Sequence, residues 1–162
     1  MSAGSYPPTH IRPRGNLAIS IGGRLRGTAC RFYGSDLKIL AAGSVRYPNG
    51  FVVCSRPADT ATAIEDPMIV FEILSDSTIN TDLIEKNAEY RATPSIRRYV
   101  ILEQTHVAAL VFVRQGEDWV SHVLAGADAS LALPEIGMEL PLGEIYAGLD
   151  LAQAVATEPA PG

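Results

Sequence analysis

The stretch Met68-Ile69-Val70-Phe71-Glu72-Ile73-Leu74-Ser75 decides how the chain is read. Its apolar run suits a strand covered on both faces, the kind that a parallel or mixed sheet buries between helices. Glu72 breaks the run. An ionised carboxylate in such a place costs roughly several kcal/mol unless it is paired, protonated or bound to a cation. Two readings stand side by side: Glu72 lies at an exposed sheet edge or in a plain salt bridge, or it belongs to a site on which other residues converge.

Working outward, Pro67 leads into this strand and the hydroxyl-rich Ser75-Asp76-Ser77-Thr78 closes it. Asp82 to Arg91 predicts a helix, because Asp82 as N-cap with Glu85 three residues on resembles a capping box and Pro94 stops the run. On a helical wheel Leu83, Ile84, Ala88 and Tyr90 form the inward stripe, while Glu85 and Glu89 point out. Lys86 falls at the edge of that stripe. Its stem can lie on apolar surface while its ammonium reaches a site, or it can pair in solvent with Asp82. Arg98 to Glu103 predicts a further strand, and Val107 to Val113 with Asp118 to Leu124 predict a hairpin around Arg114-Gln115-Gly116-Glu117. Leu131 to Leu142, with Pro134 and Pro141, reads as an extended edge or loop, and a short helical turn is expected before Leu151.

Upstream, Leu17, Ile21 and Leu25 recur every fourth residue and predict a helix from Pro13 to Leu25, with Gly27 as its stop. Strands are expected at Thr28 to Tyr33 and Leu37 to Ala41, and a turn at Tyr47-Pro48-Asn49-Gly50 opens into a buried strand ending at Cys54. The pattern gives one domain over residues 10–151, a flexible lead-in over 1–9 and a disordered tail over 152–162.

No apolar stretch approaches the ~20 residues that cross a bilayer, and Met1 to His10 lacks the apolar segment of a secretory signal. A cytoplasmic protein is expected, with Cys30 and Cys54 as reduced, buried thiols in preference to a disulfide. His10, His106 and His122 stand apart without zinc-ligand spacing and read as surface or packing residues. The net charge of −5 argues against a generic nucleic-acid coat, but it is unevenly spread. Residues 1–56 hold eight basic residues and one acid, Asp36, whereas 57–162 hold five basic residues and seventeen acids. Such asymmetry makes a basic face beside an acidic site, or two halves that attract each other within one fold or across a homodimer.

There is no G-x-S-x-G elbow and no Ser or Cys stands in a recognisable relation to a His, so nucleophilic triads are disfavoured. Metal-assisted phosphodiester hydrolysis fits better. It needs oxygen ligands for Mg²⁺ or Mn²⁺ near strand ends and benefits from a lysine beside the attacking water or the developing charge.

The runs Tyr47-Pro48-Asn49, Val70-Phe71-Glu72-Ile73-Leu74-Ser75-Asp76-Ser77-Thr78, Asp82-Leu83-Ile84-Glu85-Lys86-Asn87-Ala88-Glu89-Tyr90 and Pro94-Ser95-Ile96-Arg97-Arg98-Tyr99-Val100, in this order, resemble the Uma family of restriction endonucleases. That family is bacterial and belongs to the PD-(D/E)XK nuclease superfamily. The resemblance also takes in Gly34 to Lys38, Leu102-Glu103-Gln104 and Leu133 to Gly137, and so spans about His10 to Leu151. It implies an α/β (α+β) fold: a restriction-endonuclease-like mixed β-sheet flanked by helices, with a C-terminal β-hairpin extension. It implies Glu72 as the acidic metal ligand, Asn49 in the place of the motif Asp, and Lys86 as the lysine, moved to the next helix from the usual position that Leu74 fills. Asp36 and Gln104 are second-rank candidates near the site. An Asn donates a carbonyl oxygen but no charge, so Mg²⁺ or Mn²⁺ binding is expected to be weakened. The implied function is a divalent-metal-dependent endonuclease acting on DNA, with activity expected to be weak or lost because of Asn49. The alternative is a nuclease fold without catalysis, serving as a nucleic-acid-binding or interaction module.

Overall fold

The computed structural model describes residues 5–74 and 81–153. The Glu72 run forms strand β6, Ile69–Ile73, and all five of its residues are buried. It is preceded by β1 (Arg31–Gly34), β2 (Lys38–Ala41), β3 (Ser44–Arg46), β4 (Gly50–Val53) and β5 (Ala63–Ile64). It is followed by helix α2 (Thr81–Arg91), β7 (Arg98–Leu102), β8 (His106–Gln115) and β9 (Asp118–Ala125). The central sheet runs β1-β4-β6-β7-β8, with β9 beside β8. β6 and β7 are parallel, joined by α2 as a crossover, while β1, β4, β8 and β9 pair antiparallel with their neighbours. The sheet is therefore mixed, as expected.

Alternation along β6 sends Ile69, Phe71 and Ile73 to one face, where they pack with Leu17, Ile21 and Leu25 of the N-terminal helical region. Val70 faces the other way, toward Phe51, Tyr90, Tyr99 and Ile101. Glu72 shares that second face. Beyond the hairpin, β10 (Ser130–Leu133) and β11 (Met138–Pro141) pair with each other, and the four-residue α3, Leu142–Ile145, follows. The stretch read as an edge or loop is thus a second small hairpin. A two-residue β12, Ala152–Gln153, lies parallel to the start of β8.

Several expectations are corrected. The first helix, α1, spans Pro8–Leu17 and passes into a wider π-type turn over Ala18–Gly22. Pro13 lies inside it instead of opening it, and Pro8 takes the first-turn position that suits proline. Gly27 ends the helical region with φ +81°, a backbone conformation that glycine adopts at little cost. Helix α2 begins at Thr81, and the capping contact expected of Asp82 lies outside the described residues, as do Ser75 to Thr78 and the outer parts of the lead-in and tail. The inward stripe of α2 also differs. Ile84 is 70% exposed and Ala88 is exposed, while Leu83, Lys86, Asn87 and Tyr90 turn toward the sheet. Lys86 and Tyr90 lie one turn apart, and an acid on β6 awaits both.

Cys30 and Cys54 are joined in a disulfide, which overturns the expectation of reduced thiols. The cause is register. Arg31 pairs with Val53 across β1 and β4, so the next residues out, Cys30 and Cys54, face each other.

Part of the charge asymmetry is resolved within the chain. Arg24 pairs with Glu144 at 2.7 Å, and Arg46 pairs with Glu89 through Nε at 2.6 Å and a second nitrogen at 2.8 Å. Ser44 also donates to Glu89 at 2.9 Å. The Arg46 guanidinium holds the Glu89 carboxyl below the usual carboxylate range, outweighing the upward push of burial. A carboxylate with a depressed folded value stabilises the fold above its unfolded value near 4.5, and that contribution is lost as pH falls through the folded value. Glu89→Gln is expected to cost about 1–3 kcal/mol at pH 7 and to flatten the acid limb below pH ~4.5, as measured by urea unfolding at stepped pH.

Candidate functional site

Asn49 stands just before β4. The antiparallel pairing Gly50 to Phe71 places it opposite Glu72, on the same face of the sheet. Its side-chain oxygen accepts the backbone N–H of Ile73 at 2.8 Å. Glu72 is 8% exposed. Its Oε2 accepts a hydrogen bond from the Tyr90 hydroxyl at 3.0 Å and lies 3.5 Å from the Lys86 ammonium. Burial and the neighbouring Glu72 charge both raise the Tyr90 phenol above its ordinary value, so it remains a donor at neutral pH. Of the two readings open for Glu72, the exposed edge is removed: the carboxylate is buried, paired and hydrogen-bonded.

Asn49, Glu72 and Lys86 line one cavity of about 180 Å³. Asp36, in the turn between β1 and β2, and Gln104, after β7, are not among its lining residues. The wall is completed by residues to which the sequence reading gave no site role: Tyr6, His10, Tyr47, Ile73, Leu74, Leu83 and Tyr99. Tyr90 was legible, since it lies four residues after Lys86 and so on the same helical face. The signal for Tyr6 and His10 was their own four-residue spacing, hidden in a segment that reads as a lead-in. Helix α1 starts early enough to stack the two rings, with centroids 4.4 Å apart and planes at 20°. Burial, with a smaller contribution from Arg14, lowers the His10 pKa below its ordinary 6.5 and keeps the imidazole neutral at pH 7.

The donor set bears on which cation it fits. Among the described residues no group of three or more His, Cys, Asp or Glu is arranged to hold a metal ion, so an all-protein cage of the zinc type is not present there. One carboxylate and one amide oxygen beside an open cavity fit a hard cation that keeps most of its waters and takes further oxygens from a phosphate.

Comparisons with known proteins agree with this architecture. The chain shares 30% identity over 129 residues with an uncharacterized protein of Synechocystis sp., a match covering 77% of this chain and 67% of that one. A second uncharacterized protein from the same organism is 26% identical over 103 residues, 60% of this chain and 58% of the relative. The crystal structure of a "putative nuclease belonging to DUF820" from Anabaena variabilis superposes with a TM-score of 0.74, covering 91% of this chain and 85% of that one. At 14% identity this likeness shows the fold alone. The family model Uma2, described as "Putative restriction endonuclease", matches residues 1–143, and the chain therefore belongs to the Uma2 family.

Proposed function

We propose that the protein is a divalent-metal-dependent phosphodiesterase acting on DNA, with Glu72 and Asn49 as protein ligands of Mg²⁺ or Mn²⁺ and Lys86 as the charged partner of the reacting phosphate. The observation that carries this reading is the convergence of Asn49, Glu72 and Lys86 on one cavity at the end of β6. When bound, the cation supplies charge neutralisation at the phosphate and a water of lowered pKa. Glu72 contributes the anionic oxygen, held in place by the Tyr90 hydroxyl. Lys86, on the inward face of α2, orients the attacking water or offsets the charge that develops as the water oxygen bonds to phosphorus and one P–O ester bond breaks. The Ile73 N–H fixes the Asn49 oxygen, so the amide is preorganised even though it brings no charge. A bacterial, cytoplasmic setting belongs to the same proposal, as does a homodimer, for which the exposed Ile84, Val120 and Val123 offer apolar surface.

Asn49→Asp tests the reading. One oxygen of the new carboxylate retains the Ile73 bond and the other replaces the amide nitrogen, adding a second charge opposite Glu72. Mn²⁺ affinity is expected to rise at least tenfold by calorimetry, and plasmid cleavage to increase with it. If neither changes, the metal assignment fails.

The presence of Asn49 favours a second reading, a binding module that has lost catalysis. Nucleic-acid binding that falls steeply with salt, ignores EDTA and is never followed by cleavage, even in Asn49→Asp, would select it.

A further inference from the structure

We infer that the mouth of the Glu72 cavity binds an unstacked nucleotide, so that the substrate class is single-stranded or locally melted nucleic acid in preference to intact duplex. This rests on the proposed site and specifies what enters it.

Two large aromatic side chains stand at the cavity with much of their surface in solvent: Tyr6 at 47% exposed and Tyr47 at 58%. They come from separate parts of the chain, the segment before α1 and the turn before β4. Both line the same cavity as Glu72 and Lys86. Exposed rings beside a cavity that holds a carboxylate and an ammonium suit a ligand with a flat π-face next to an anion. A nucleotide is such a ligand, and base–aromatic stacking tolerates any base.

Tyr6 is also preorganised. His10 stacks on it, and only 4% of His10 is exposed, so a buried ring backs the Tyr6 ring and limits its rotation. The His10 Nδ1 is buried and has no hydrogen-bond partner among the described residues. A polar atom left in that state costs about 1–3 kcal/mol, and most buried polar atoms have a partner. His10 itself lines the cavity, where a base edge or phosphate oxygen offers the missing partner after a small ring adjustment.

The substrate class follows from the geometry of the bases. In a continuous duplex each base is covered above and below by its neighbours, so no face is open to Tyr6 or Tyr47. A cavity of about 180 Å³ admits a phosphate with part of one nucleotide, not a stacked helix. Using the aromatic wall therefore requires an unstacked residue.

The test is fluorescence anisotropy on the full chain in EDTA and low salt. It compares a labelled oligothymidylate of about twelve nucleotides with a hairpin duplex of equal phosphate count. The single strand is expected to bind at least tenfold tighter. Tyr6→Ala and Tyr47→Ala are each expected to weaken single-strand binding about tenfold while leaving duplex binding unchanged. Tyr6→Phe and Tyr47→Phe should retain tight binding, because stacking survives loss of the hydroxyl, and unchanged duplex binding by the alanine variants excludes misfolding as the cause of their effect. His10→Gln should weaken single-strand binding at least threefold.

Equal or tighter duplex binding, alanine variants without effect, or no binding of either oligonucleotide would each overturn the inference. The readout is independent of the proposed catalysis. If Glu72→Gln and Asn49→Asp have no effect on metal binding or cleavage while the tyrosine effects hold, the catalytic reading falls and this one stands. If duplex is cleaved with no dependence on the tyrosines, the reverse is true.

Discussion

Glu72→Gln is expected to lower metal-dependent cleavage at least a thousandfold while moving the unfolding midpoint by about 8 °C at most. The two halves of this result have different causes. The substitution keeps shape and volume, and the glutamine oxygen still accepts the Tyr90 hydroxyl that now lies 3.0 Å away. What disappears is the negative charge, and with it the attraction to Lys86 and the hold on the proposed cation. Breaking a fully buried pair from one side costs 3–5 kcal/mol or so, because the remaining charge has no partner. Lys86 is not in that position: its side chain is 20% exposed, and its ammonium can turn to water along a flexible stem. The loss is then about 1–2 kcal/mol, and a domain of this size shifts by about 2–4 °C per kcal/mol. The measurement pairs calorimetry with plasmid cleavage in Mn²⁺, in the wild type and in the Asn49→Asp background. Undiminished cleavage would remove Glu72 from the proposed metal site. A collapse of the midpoint by 10 °C or more would make Glu72 a structural ion-pair residue first.

The same residue shows how much of the molecule was legible in the sequence. The run from Ile69 to Ile73 announced a doubly covered strand, and it is one, with every residue buried. Its parallel partner, the crossover helix and the β8–β9 hairpin followed from ordinary periodicity and turn residues. The inward face of α2 did not. A wheel weighted by hydrophobicity turns Ile84 inward, but the surface it would meet carries the Glu72 carboxylate, so Lys86 takes the inward place and Ile84 is left in solvent. A site rule overrode the packing rule. For α1 the obstacle was Pro13, whose missing N–H argues for a helix start but is tolerated inside this helix. Placing the start at Pro13 also left Tyr6 in the lead-in and His10 as a surface or packing residue, because the stacking that brings them to the cavity involves the helical turn that starts at Pro8. The family resemblance points to Asn49, but its bond to Ile73 depends on strand register, which a sequence does not state.

Removing the Cys30–Cys54 bond is expected to cost about 3 kcal/mol, or roughly 6–12 °C in unfolding midpoint. The magnitude comes from the chain that the bond closes: the two cysteines are 24 residues apart, and holding such a loop shut restricts the unfolded state far more than the folded one. In the folded state β1 and β4 are already aligned by four residue pairs, and both sulfurs pack on the apolar face below α1, so little native structure depends on the covalent link. Cleavage should therefore change less than twofold, because Asn49 is held separately by Ile73 and by the pairing of β4 with β6. The experiment compares urea unfolding of the oxidised protein, the protein in dithiothreitol and the Cys30→Ser, Cys54→Ser variant, with thiol titration of freshly purified material. Coincident midpoints for the oxidised and reduced forms would reject the entropic argument. Two free thiols in material purified under non-reducing conditions would restore the reading made from sequence, since the cytosol keeps such pairs reduced. The chain would then reach its functional setting about 3 kcal/mol less stable than the oxidised form, with strand register alone holding β1 against β4.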